Sequence, residues 1–149
     1  MKSILLSLSA VLLLSSHAAE LGDPAAELKI AKWVKGEPVQ ISDGGEKQIY
    51  VVEFWATWCP PCRTSIPHLT EVQNRFKDKN VTIIGVTDEK ESVVKPFVND
   101  LGSKMDYRVA IDEGATSQGY MKAYGINGIP HAFTSFVGLL NQPRYGSFL

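Results

Sequence analysis

A strand built for burial on both faces runs straight into a cysteine pair. Ile49-Tyr50-Val51-Val52-Glu53-Phe54-Trp55 is a near-continuous apolar and β-branched run, the pattern of a strand covered on both sides. Ala56-Thr57-Trp58-Cys59-Pro60-Pro61-Cys62 follows and contains both cysteines of the chain. Pro60 and Pro61 fall in the first turn of the next element, where a missing N–H costs nothing and the fixed φ is already helical. A strand that turns into a helix at its cysteines is therefore expected. Cysteines this close in sequence restrain little of the unfolded chain, because stabilisation by loop closure grows with loop length. A structural staple is the weaker reading. At a helix N-terminus, unpaired N–H groups and the positive dipole end favour thiolate over thiol, so the pair is suited to exchange.

The compartment matters for such a pair. Lys2, the apolar run from Ile4 to Leu14 and the small residues Ser16, Ala18 and Ala19 have the order of a secretory signal peptide. We read residues 1–18 as that signal, cleaved after Ala18, and residues 19–149 as one domain. The run is shorter than the roughly 20 apolar residues that span a bilayer. Export, for example to a periplasm, places the cysteines where disulfides persist and a dithiol needs a reducing partner. With 15 basic and 16 acidic residues, 44% hydrophobic and 21% charged in 149 residues, the chain has an ordinary globular composition. Its near-neutral charge excludes steering toward nucleic acid.

Further along, Ile66, Leu69, Val72 and Phe76 predict a helix from the cysteines to about Lys79, with a kink at Pro67. Val81 to Thr87 predicts a strand. Asp88 or Ser92 is expected to cap a helix with an apolar stripe of Val93, Val94, Phe97, Val98 and Leu101 that Gly102 ends. Tyr107 to Ile111 reads as a strand and Ala115 to Tyr124 as a helix closed by Gly125. Alternation of this kind implies an α/β domain whose helices cover both faces of a sheet.

Trp58-Cys59-Pro60-Pro61-Cys62, Pro67 and the late Gly128-Ile129-Pro130 together resemble the thioredoxin family. The lead-in Phe54-Trp55-Ala56-Thr57-Trp58-Cys59 is similar to that of its exported TlpA/ResA-like branch. The resemblance covers Gly36 to Phe133. It implies a thioredoxin fold with a central mixed sheet, and a branch-specific β/α insertion over Glu91 to Ile111. It also implies a thiol-disulfide oxidoreductase, with protein thiols and disulfides as substrates and a membrane-bound electron donor. The chain is expected to act as a monomer, with no cofactor beyond its own cysteine pair.

Within that frame Cys59, at the helix cap and nearer solvent, is the expected nucleophile and Cys62 the resolving thiol. Glu53, in the most apolar strand, should have a raised pKa and could accept the proton of Cys62; thioredoxins proper carry Asp there. The resemblance implies a cis bond before Pro130 and an Ile129 backbone that pairs with an extended substrate segment. His131 would border the site. Trp58 would form an apolar rim for partners and Trp55 would pack under the helix. Arg63 is either a charge that favours the thiolate or a solvated helix residue. Two other functions stay open. A peroxiredoxin-like thiol peroxidase shares the fold, although the Pro-x-x-x-Thr-x-x-Cys pattern is absent around Cys59. A non-catalytic binding module would need neither cysteine.

The end of the chain departs from the family pattern. A strand to about Leu140 is expected, but Pro143 and Gly146 leave no room for a final helix. The closing strand and helix, residues 134–149, are expected to be truncated or altered, which would bare a sheet edge and weaken the fold.

Overall fold

In the computed structural model the chain is described over residues 19–20, 22–41, 48–137 and 143–148, the last six as backbone only. The expected signal peptide, residues 1–18, lies outside the described residues, as does the Gly44-Gly45 turn. The apolar run forms β2, Gln48–Phe54. The cysteine helix is α1, Pro60–Phe76, with Cys59 as its N-cap and the two prolines at its first positions. Then come β3, Val81–Thr87, α2, Glu91–Leu101, and β4, Arg108–Asp112. Helix α3 starts at Ala115–Ser117 and continues as a π-helix over Gln118–Lys122. Strands β5, His131–Val137, and β6, Pro143–Phe148, complete the chain. One strand escaped the sequence reading: β1, Ile30–Lys35, antiparallel to β4 with register shifts at Ile30/Lys32 and Trp33/Lys35. Those irregularities break the alternation by which a strand is recognised.

The six strands lie in the order β1-β4-β3-β2-β5-β6. Strands β2, β3 and β4 are parallel, and β1, β5 and β6 run antiparallel to their neighbours. The pleat sends alternate residues of β2 to opposite sides. Tyr50, Val52 and Phe54 pack with Ile84, Val86, Tyr120 and Met121. Trp55, beyond the strand, packs with Ile66 of α1, Val94 and Val98 of α2, and both cysteines. Helices thus cover both faces of a mixed sheet, α1 and α2 on one and α3 on the other.

Several expectations need correction. Val72 of the α1 stripe is 41% exposed, and a polar residue next to it faces the sheet. Gln73 bonds the main chain of β3, its Nε2 donating to the Val81 carbonyl at 3.0 Å and its Oε1 accepting the Ile83 N–H at 2.7 Å. Neither Asp88 nor Ser92 caps α2; its N-cap is Lys90, with no side-chain bond. The tail is not without its edge strand. Strand β6 pairs with β5 from Val137↔Pro143 to Ala132↔Phe148. Pro143 is tolerated because it is the first residue of an edge strand, where a missing donor is cheapest. No helix follows β6 among the described residues. The expected continuation of β5 to Leu140 runs into residues 138–142, outside the described ones.

Candidate active site

The parallel strands β2 and β3 deliver their C-terminal ends to one edge of the sheet, and the chain leaves β2 there into the cysteine turn. The Cys59 N–H donates to the Ala56 carbonyl at 3.2 Å, closing a turn over Ala56-Thr57-Trp58-Cys59. Cys59 and Cys62 form a disulfide, with Cα atoms 5.3 Å apart. The Cys59 sulfur accepts the Cys62 N–H at 3.3 Å. A sulfur in this place takes over the work of a capping oxygen, and the same donor would stabilise a thiolate. In the disulfide form Cys59 is 2% exposed and Cys62 0%. Cys59 is the N-cap and the less covered of the two, as expected, but both are buried in this form, with Ile129 packed against the pair.

That loop meets the pair as the resemblance implied. The Ile129-Pro130 bond is cis, and the Ile129 carbonyl oxygen lies 3.8 Å from the Cys59 sulfur. Trp58 is 70% exposed and rims a cavity of about 290 Å³ that also takes in Trp55, Met121, Ile126, Asn127 and Ile129. His131 is buried and turned away, its ring 4.8 Å from that of Phe133 in the opposite core. Burial pushes its pKa down. Arg63 is neither free nor aimed at the sulfurs; its guanidinium lies 5.2 Å over the Phe97 ring, which stacks on Trp55.

Glu53 stands in the ladder between Gly85 of β3 and Ala132 of β5. The alternation of β2 turns it to the side of Trp55 and the cysteines. It is 2% exposed, and neither carboxylate oxygen has a hydrogen-bond partner among the described residues. Burial raises its pKa to about 8, because nothing nearby compensates the charge. The Trp55 Nε1 and the Tyr107 hydroxyl are also buried and without a hydrogen-bond partner among the described residues. Tyr107 is pushed above its ordinary range by burial and then by Glu53. These groups meet around Gly85, where a Cβ would lie 3.0 Å from both Trp55 Nε1 and Tyr107 Cε2. Glycine keeps that space open.

Sequence reasoning missed Tyr107, Gly85 and Glu89. The Glu89 carboxylate accepts the Thr57 N–H at 2.5 Å and the Thr57 hydroxyl at 2.8 Å. An acidic residue after a strand reads as a helix cap, and only the tertiary structure shows which backbone it serves.

Residues 21–137 match the model of the AhpC/TSA family. The thiol-disulfide oxidoreductase ResA of Bacillus thuringiensis is 36% identical over 101 residues, 67% of this chain and 55% of that protein. The chain thus spans about half the length of that relative. A sporulation thiol-disulfide oxidoreductase A of Bacillus subtilis is 27% identical over 86% of this chain and 73% of its own. Among solved structures, a thiol:disulfide interchange protein of the thioredoxin family from Chlorobium tepidum superposes with a TM-score of 0.68 at 26% identity, covering 89% of this chain and 88% of the other. Shared architecture, a disulfide at the head of α1 and relatives of one named kind lead to one assignment: the chain belongs to the AhpC/TSA family, among its thioredoxin-like, ResA-related members.

Proposed function

We propose that the chain is an exported thiol-disulfide oxidoreductase that reduces protein disulfides through Cys59 and Cys62. The observation that carries this reading is the Cys59–Cys62 disulfide at the N-terminus of α1, beside the Ile129-Pro130 loop. In the reduced protein the Cys59 thiolate attacks one sulfur of a substrate disulfide, and the other substrate sulfur leaves as a thiolate. Cys62 then loses its proton to the Glu53 carboxylate and attacks the Cys59 sulfur of the mixed disulfide. The second substrate sulfur leaves, two electrons have passed to the substrate, and the protein is left with its internal disulfide. A donor dithiol, membrane-bound in our reading, must reduce that bond again. In this return step Cys62 is the leaving group and a protonated Glu53 returns the proton. With its pKa near 8, Glu53 can serve in both directions near neutral pH.

Trp58 gives partners an apolar rim and the Ile129 backbone offers strand-like pairing. The signal segment, residues 1–18, supports export, and the protein would work as a monomer without a cofactor. The test is Cys62→Ser. It should trap substrate proteins in a mixed disulfide through Cys59, and Cys59→Ser should trap none and abolish reduction of a disulfide substrate. Absence of any adduct, with partner binding indifferent to both substitutions, would instead establish a binding module. Peroxide consumption that depends on Cys59 would establish a thiol peroxidase.

A further inference from the structure

The turn that presents Cys59 is fastened from outside its own element. Thr57 stands at its corner, and both polar groups of Thr57 that can donate are taken by one carboxylate, that of Glu89. Glu89 is itself tied to the end of β3, its N–H donating to the Thr87 hydroxyl at 3.4 Å. Helix α2 makes no use of it, because Lys90 occupies the cap and no side chain bonds there. Two charge-assisted bonds from one half-buried carboxylate to one residue form a rigid link. That link joins β3 to the turn over Ala56-Thr57-Trp58-Cys59.

We propose that Glu89 is a positioning residue for Cys59, holding the turn so that the Cys59 sulfur stays aligned with the Cys62 N–H. The inference rests on the thiol-exchange reading of the site. Clamp and charge act in opposite directions. A carboxylate near a thiolate disfavours it, so loss of the charge alone increases the thiolate fraction of Cys59. Loss of the clamp takes the sulfur off its backbone donor and decreases that fraction. Glu89→Gln separates the two, since the amide oxygen can accept the Thr57 N–H while its NH2 donates to the Thr57 hydroxyl. Glu89→Ala removes both.

The experiment follows alkylation of Cys59 by iodoacetamide against pH in a Cys62→Ser background, with hydrogen exchange at the Thr57 amide measured in parallel. We expect Glu89→Gln to keep amide protection and raise the thiolate fraction at neutral pH. Glu89→Ala should lose protection and fall about tenfold below Glu89→Gln in thiolate fraction, one pH unit in the profile. Coincident profiles for the two variants overturn the proposal. If Glu89→Ala does not fold, Thr57→Val decides, as it deletes one arm of the clamp and leaves the charge. A roughly threefold loss of thiolate supports the clamp, and an unchanged profile overturns it. Alkylation needs no turnover. A wild-type protein that alkylates yet leaves a disulfide peptide intact refutes the proposed function, while the clamp is still decided by the profiles.

Discussion

Glu53 is a carboxyl group in a place where a charge has no counterpart, and its protonation links activity to stability. Unfolded, the group has its ordinary pKa of 4.5; folded, it titrates near 8. Between those values the native state holds a proton that the unfolded state has released, so stability falls as pH rises through this window and levels off above about 8. Below 4.5 both states are protonated and the favourable contribution is complete. Urea unfolding of the oxidised protein should therefore show a midpoint that declines by several kcal/mol equivalent from about pH 5 to about pH 8.5. Glu53→Gln should flatten that decline. A slope unchanged by the substitution would show that Glu53 does not titrate as a buried acid. Tyr107→Phe argues the same cluster from the other side. The hydroxyl is buried and has no hydrogen-bond partner among the described residues, so removing it should cost less than about 1 kcal/mol or stabilise the protein, in contrast to the loss expected for a bonded tyrosine.

The first residues of β3 show how an element can depend on a side chain from another. Strand β4 pairs with β3 only from Ile84 onward, so Val81 and Ile83 have no strand on that edge, and Gln73 of α1 fills the gap with two hydrogen bonds. Gln73→Ala should cost about 2 kcal/mol, two bonds at roughly 1 kcal/mol each, read as a shift in the urea midpoint with no change in slope. This residue also explains where the sequence was opaque. Strand β3 and the start of α1 were readable, because a β-branched run and a proline-bearing helix start are local patterns. Val72 was misplaced on the buried stripe of α1, and the role of Gln73 was missed, since it is set by a strand edge that no helical periodicity reports. Strand β1 was hidden by its register shifts, and the use of Glu89 by a contact 32 positions away in sequence. The cysteines, Trp58 and the cis Ile129-Pro130 bond were readable through motifs, whereas Gly85 and Tyr107 acquire meaning only when the strands are aligned side by side.

For the molecule as a whole the decisive question is what closes the sheet beyond β5. Proline and glycine in the tail argue against a helix, and that inference is compatible with β6, because an edge strand accepts Pro143 at its first position and Gly146 opposite Thr134. The expectation of a weakened fold rested on a missing edge strand and a missing closing helix; β6 removes the first of those reasons, and no helix follows it among the described residues. The pairing spans β5 from Ala132 to Val137, the strand that follows the Ile129-Pro130 loop at the cysteines. Edge and site are therefore connected by one continuous strand. Deleting residues 143–149 would leave β5 with a row of open N–H and C=O groups on its outer side, next to Phe136, which is 47% exposed, and such an edge recruits other chains. The truncated protein should lose on the order of 2 kcal/mol or more of stability, shift to higher oligomers by size-exclusion chromatography and reduce disulfide substrates more slowly. If it stays monomeric with an unchanged unfolding midpoint, β6 contributes nothing to the fold, and the sheet must be regarded as complete at β5.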